Sequence, residues 1–135
     1  MNEDDLDRIN ELNNILNKAE STLQSAESSF NNGFVESAAS RAYYAAFHAV
    51  QAVLASVNQA YSKHSAVIAE FQRQFVKTGI FPSKLGKALK LMMKHREIGD
   101  YSYVKKLNAD EVKDDLEKAR EILDAVRHYL KLDKT

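Results

Sequence analysis

Arg41, Tyr44, His48 and Gln51 fall within a narrow stripe when their segment is wound at about 100° per residue, and the rest of that segment's circumference is almost wholly apolar. A guanidinium can hold a phosphate bidentately and an imidazole can move a proton near neutral pH. The stripe is therefore either the one wet edge of a central helix or a site. Arg96 is placed more oddly. By the same count it shares a face with Leu85, Leu89 and Met92, whereas Lys84, Lys87, Lys90 and Lys94 take another. A charge among apolar side chains must be paired or must line a pocket. Asp100 is its obvious partner, and Tyr101 and Tyr103 follow at once. The four lysines form either a solvated face or a track for RNA phosphates.

Several chemistries find no residues to carry them. A di-iron bundle needs Glu-x-x-His pairs, and no Glu here has a His three residues later. His-Glu-x-x-His and the phosphate-loop fingerprints are also missing. His48, His64, His95 and His128 show no metal-ligand spacing. No metal and no cofactor is expected, and acid–base work would rest on isolated groups.

The elements that must position these residues are helices. Leu6, Ile9, Leu12, Leu16, Ala19, Leu23, Ala26 and Phe30 recur every three or four residues and predict a long amphipathic helix ending near Asn31-Asn32-Gly33. A second runs from Phe34 to about Asn58, alanine-rich and apolar nearly all round, as suits the middle of a bundle. Ser62 is the expected cap of a third through Val76, stopped by Thr78-Gly79. Pro82-Ser83 opens a fourth that should end before Gly99. Asn108 with Glu111 resembles a capping box for a fifth that carries Val112, Leu116, Ala119, Leu123, Val126 and Leu130. The prediction is an all-α, up-and-down bundle of about five helices in a single domain, 1–135.

Composition agrees. The chain has 135 residues, 44% hydrophobic and 28% charged, with 4 Gly and 1 Pro, too few turn-formers for many short strands. It has no Cys, which removes disulfides, thiolate metal sites and a cysteine nucleophile, and fits a reducing compartment. The acidic start, Asn2 to Asp5, is unlike a secretory signal, and the longest apolar run, Ala42 to Phe47, is far too short to span a membrane. A cytoplasmic location with no membrane partner is expected. The formal net charge of zero hides an asymmetry: residues 1–36 sum to −6, 37–62 to +1, 63–107 to +7 and 108–135 to −2. The basic middle can attract phosphates or an acidic partner, or face the acidic first segment of the same chain or a symmetry mate.

Three segments, in order, carry a family resemblance: Ser40-Arg41-Ala42-Tyr43-Tyr44-Ala45-Ala46-Phe47-His48-Ala49; His64-Ser65-Ala66-Val67-Ile68 leading to Phe71 and Phe75-Val76-Lys77-Thr78-Gly79; and Arg96-Glu97-Ile98-Gly99-Asp100-Tyr101. Together they resemble the small stand-alone prokaryotic HEPN-domain proteins, over roughly residues 8–130. The resemblance implies a helical bundle, a homodimer, and often a minimal nucleotidyltransferase partner in a toxin–antitoxin module. Active members resemble metal-independent endoribonucleases that use an Arg, four to six residues and a His, two copies meeting across the dimer. Arg96 matches that arginine, but the histidine slots hold Tyr101, Ser102 and Tyr103. The pattern Arg-x-x-x-Asp-Tyr is similar to the branch without the nuclease motif, and Tyr103 falls where some partnered members carry a tyrosine that the nucleotidyltransferase modifies.

The resulting expectation is a module that binds a nucleotide or RNA phosphate, or serves a nucleotidyltransferase, without strong catalysis. Its candidate site is Arg41, Tyr44, His48, Arg96, Asp100 and Tyr101, with Tyr103 for modification. Packing of the second helix on the fourth would let Arg41, His48, Arg96 and Asp100 share one pocket. Two alternatives remain: a metal-independent endoribonuclease using His48 or His95 as base, and a non-catalytic dimeric scaffold.

Overall fold

A computed structural model describes residues 2–133, so the expected domain limits at 1 and 135 lie outside the described residues. Five helices follow one another: α1 (Glu3–Asn31), α2 (Val35–Ser56), α3 (His64–Phe71), α4 (Ser83–Tyr101) and α5 (Ala109–Leu130), with no strand among the described residues. Asn2 opens α1 with a capping box to Asp5, and Gly33, at φ 85°, makes the left-handed turn into α2. Asn108 opens α5 by accepting from the Glu111 backbone at 2.8 Å, half of the expected capping box; the Glu111 carboxylate takes its bond from the Asn108 side-chain amide, not from the Asn108 backbone.

α2 is the axis of the molecule. It packs on α1, α3, α4 and α5, and buries Ala38, Ala39, Ala42, Ala45, Ala46, Ala49 and Ala52 along its length. Those methyl groups keep interhelical distances short, while Tyr43, Val50, Val53 and Leu54 fill the wider gaps. Leu16, Leu23, Leu89, Met92, Ile122 and Leu123 close around them from the other helices.

Three boundaries differ from expectation. The cap of α3 is Lys63, not Ser62, and it makes no side-chain cap bond. Beyond Phe71 the helix does not stay α but widens into a π-helical turn, Gln72–Val76. There the Gln72 amide donates to the Gly86 carbonyl of α4 at 2.8 Å, so part of the segment's polar capacity is spent across the bundle. α4 runs on through Gly99 to Tyr101. Gly99 is a packing glycine rather than a stop: a Cβ there would stand 3.3 Å from Glu36 Cβ at the start of α2. The extra turn puts Asp100 inside the helix, one turn beyond Arg96.

Candidate site at the α2–α4 rim

Arg96 projects from α4 toward two consecutive tyrosines of α2. Its guanidinium carbon lies 5.3 Å from the Tyr43 ring centre and 5.6 Å from that of Tyr44, within cation–π range of both. Nη1 donates to the Tyr44 hydroxyl at 3.3 Å and meets Asp100 at 3.7 Å. The arginine side chain is only 14% exposed and Asp100 is 31% exposed, so the carboxylate shares its charge with water and leaves the guanidinium partly uncompensated. Nε is buried without a partner, and no group among the described residues engages Nη2. A buried guanidinium satisfied on one side only keeps hydrogen-bond donors that its protein neighbours do not use.

Aromatic rings wall this site. The Tyr43 hydroxyl pairs with His64 Nδ1 at 3.1 Å, and the His64 ring stacks on Phe47 at 4.0 Å between centres and meets Tyr44 edge-on at 5.8 Å. Burial pushes the Tyr43 phenol up to about 12, against the pull of Arg96. His64 is held below the usual histidine range, first by burial and then by the Arg96 charge. Both groups are neutral at pH 7, the phenol a donor and the imidazole uncharged.

The expected common pocket does not form. Arg96, Asp100 and Tyr44 come together, but Arg41 is exposed and donates from Nη1 to Ser37 Oγ and, at 3.3 Å, to Ser29 Oγ of α1. His48 pairs with Gln51 at 3.1 Å and lines a separate cleft of about 440 Å³ between α1, α2 and the segment before α3, with Glu11, Lys18, Gln59 and Tyr61. Burial lowers the His48 pKa. One helix face thus meets different neighbours at each turn: α1 at Arg41, α4 at Tyr44, and α1 with the segment before α3 at His48. Tyr101 is 71% exposed at the end of α4, and Tyr103 is fully exposed beyond it.

Two buried polar pairs follow no spacing in the sequence. His95, next to Arg96, is buried with Nδ1 2.6 Å from Asp115 of α5 and Nε2 3.5 Å from Glu111. Glu20 of α1 accepts two bonds from Arg120 at 2.8 and 2.6 Å. Burial raises the Asp115 carboxyl, opposed by His95. Among the described residues no cluster of three or more His, Asp or Glu is placed to hold a metal ion, and no helix is long and apolar enough to cross a membrane.

The fold is an all-α bundle of five helices. Within it, a model of the HEPN domain matches residues 12–129, and the chain belongs to the HEPN family. A UPF0332 protein of Thermotoga maritima is 39% identical over 113 residues, covering 84% of this chain and 86% of that protein. A protein of Methanocaldococcus jannaschii that bears the name Putative toxin MJ0142 is 30% identical over 120 residues, 89% of this chain and 82% of its own length. The crystal structure of TT1696 from Thermus thermophilus superposes with a TM-score of 0.72 at 21% identity, over 87% of this chain and 96% of that one, and shares the fold.

Proposed function

We propose that the chain is a phosphate-binding module of toxin–antitoxin type that holds a nucleotide or RNA phosphate at the α2–α4 rim and works as a homodimer beside a nucleotidyltransferase, without strong catalysis. One observation carries this: Arg96 is mostly buried, braced by Tyr43 and Tyr44, and balanced on one side only, by a half-exposed Asp100. A structural ion pair needs no such unfilled donors. The toxin names of relatives support the biological class. The absence of a histidine after Arg96 on its own helix supports binding over cutting. Arg41 and His48, with other partners, belong to the rim's surroundings and not to its centre.

Scanning fluorimetry against nucleotides and short RNAs tests it. A ligand-dependent rise in melting temperature in the wild type that vanishes in Arg96→Ala is expected; no rise with any ligand sinks the proposal. RNA incubated in EDTA should stay intact. Full exposure of Tyr103 supports its role as a hydroxyl that a nucleotidyltransferase could reach, and mass spectrometry after co-expression with such an enzyme checks it. Sedimentation that shows only monomer at micromolar concentration would count against the dimer.

A further inference from the structure

The hydroxyl of Tyr43 is fully buried, and His64 Nδ1 is its one partner among the described residues. A protonated phenol with no other acceptor must give its hydrogen to Nδ1. The imidazole's own proton is then on Nε2, a donor that no described residue engages. Stacking on Phe47 at 4.0 Å and 19° fixes the ring plane. Tyr43 and Tyr44 each contact both His64 and Arg96, so two donors with unfilled capacity flank the same pair of rings.

We infer that His64 completes the Arg96 site as a second donor to a bound phosphate, and that the site takes up a proton as it fills. This rests on the phosphate-binding role of Arg96. The titratable and charged groups that bear on His64 are Tyr43 and Tyr44 of α2, in ring contact with it, Arg96 with its Asp100 on α4, and, through charge alone, His48; Lys63 precedes it in the chain. Without a ligand the nearby cation opposes a charge on the ring. Protonation at Nδ1 also requires the Tyr43 hydroxyl to turn from donor to acceptor, which leaves its buried hydrogen without a partner. An anion between His64 and Arg96 offsets both costs. By linkage, a ligand that favours the imidazolium binds more tightly as pH falls.

The probe is thymidylyl-thymidine, whose diester and bases hold constant charge between pH 5.5 and 8, and whose lack of a 2′-hydroxyl prevents cleavage at the linkage. Titrated into the intact protein and followed by NMR, it should bind roughly five-fold more tightly at pH 5.5 than at pH 8. His64→Gln, which can still accept from Tyr43, should bind with equal affinity at both pH values. Arg96→Ala should not bind. Wild-type affinity that is flat with pH, or a slope that survives in His64→Gln, overturns the role of His64 and leaves that of Arg96 standing. Failure of the wild type to bind at either pH removes both. The His64 imidazole resonance gives a second readout that needs no variant to fold: its titration midpoint must rise when the dinucleotide saturates the protein, and an unmoved midpoint overturns the inference.

Discussion

His95 and Arg96 are neighbours on α4, yet they serve opposite ends. His95 turns into the α4–α5 seam, where Nδ1 makes a 2.6 Å bond to Asp115, only 2% exposed, and Nε2 has the Glu111 carboxylate 3.5 Å away. Arg96 turns to the α2–α4 rim, where a half-exposed carboxylate and a hydroxyl meet one nitrogen and the buried Nε has no partner. Both positions bury an ionisable group, so burial alone does not separate lock from site. What separates them is whether the neighbours complete the hydrogen bonding.

The contrast can be broken most forcefully at the seam. Asp115→Ala strands His95 in the core and should lower unfolding free energy by about 3 kcal/mol, measured by urea denaturation, while folded protein keeps its phosphate binding. A loss under 1 kcal/mol would mean that the pair is no lock. Arg120→Ala, which removes the two charge-assisted bonds that Glu20 accepts from it, should cost about 2 kcal/mol and also spare binding. Arg96→Ala should cost about 1 kcal/mol or less, since cation–π and half-exposed ionic contacts are modest, yet abolish the ligand-induced thermal shift. A large stability loss with binding retained would turn Arg96 into a second lock.

The smallest effect is in pH. His48 and His64 have folded pKa values below the unfolded one, so the native state binds fewer protons in that window. Stability therefore falls as pH drops below about 6.5 toward the folded values, and levels off beneath them. Urea midpoints at pH 7.5 and 5.5 should differ less in His48→Gln than in the wild type; an unchanged difference would deny His48 its share.

Much of the fold is legible because helical spacing and caps are local. Leu12, Leu16, Leu23 and Asn108 announce their helices within a few residues. Gly99 misleads because its signal as a helix stop is local, whereas its actual reason is contact with Glu36, far off in sequence. The Asp115 partner of His95 lies 20 residues away on another helix, and no spacing rule connects them. Arg96 was legible as out of place among apolar residues. That His64 shares the same two tyrosine rings was not, since the position of its ring depends on how the segment after α2 carries the chain back onto Phe47. Arg41 and His48 share a face with Tyr44 but not its neighbours, a distinction that needs the packing of α1 and α4.

Tyr43 has an optical consequence. The chain has no Trp and 6 Tyr, so its ultraviolet emission comes from phenols. Of these, Tyr43 is wholly buried, hydrogen-bonded to His64 and beneath Arg96. An imidazole that gains a charge beside an excited phenol changes how that phenol loses its energy, so the folded chain carries its own lamp at the rim, and its brightness reports what sits there without any dye.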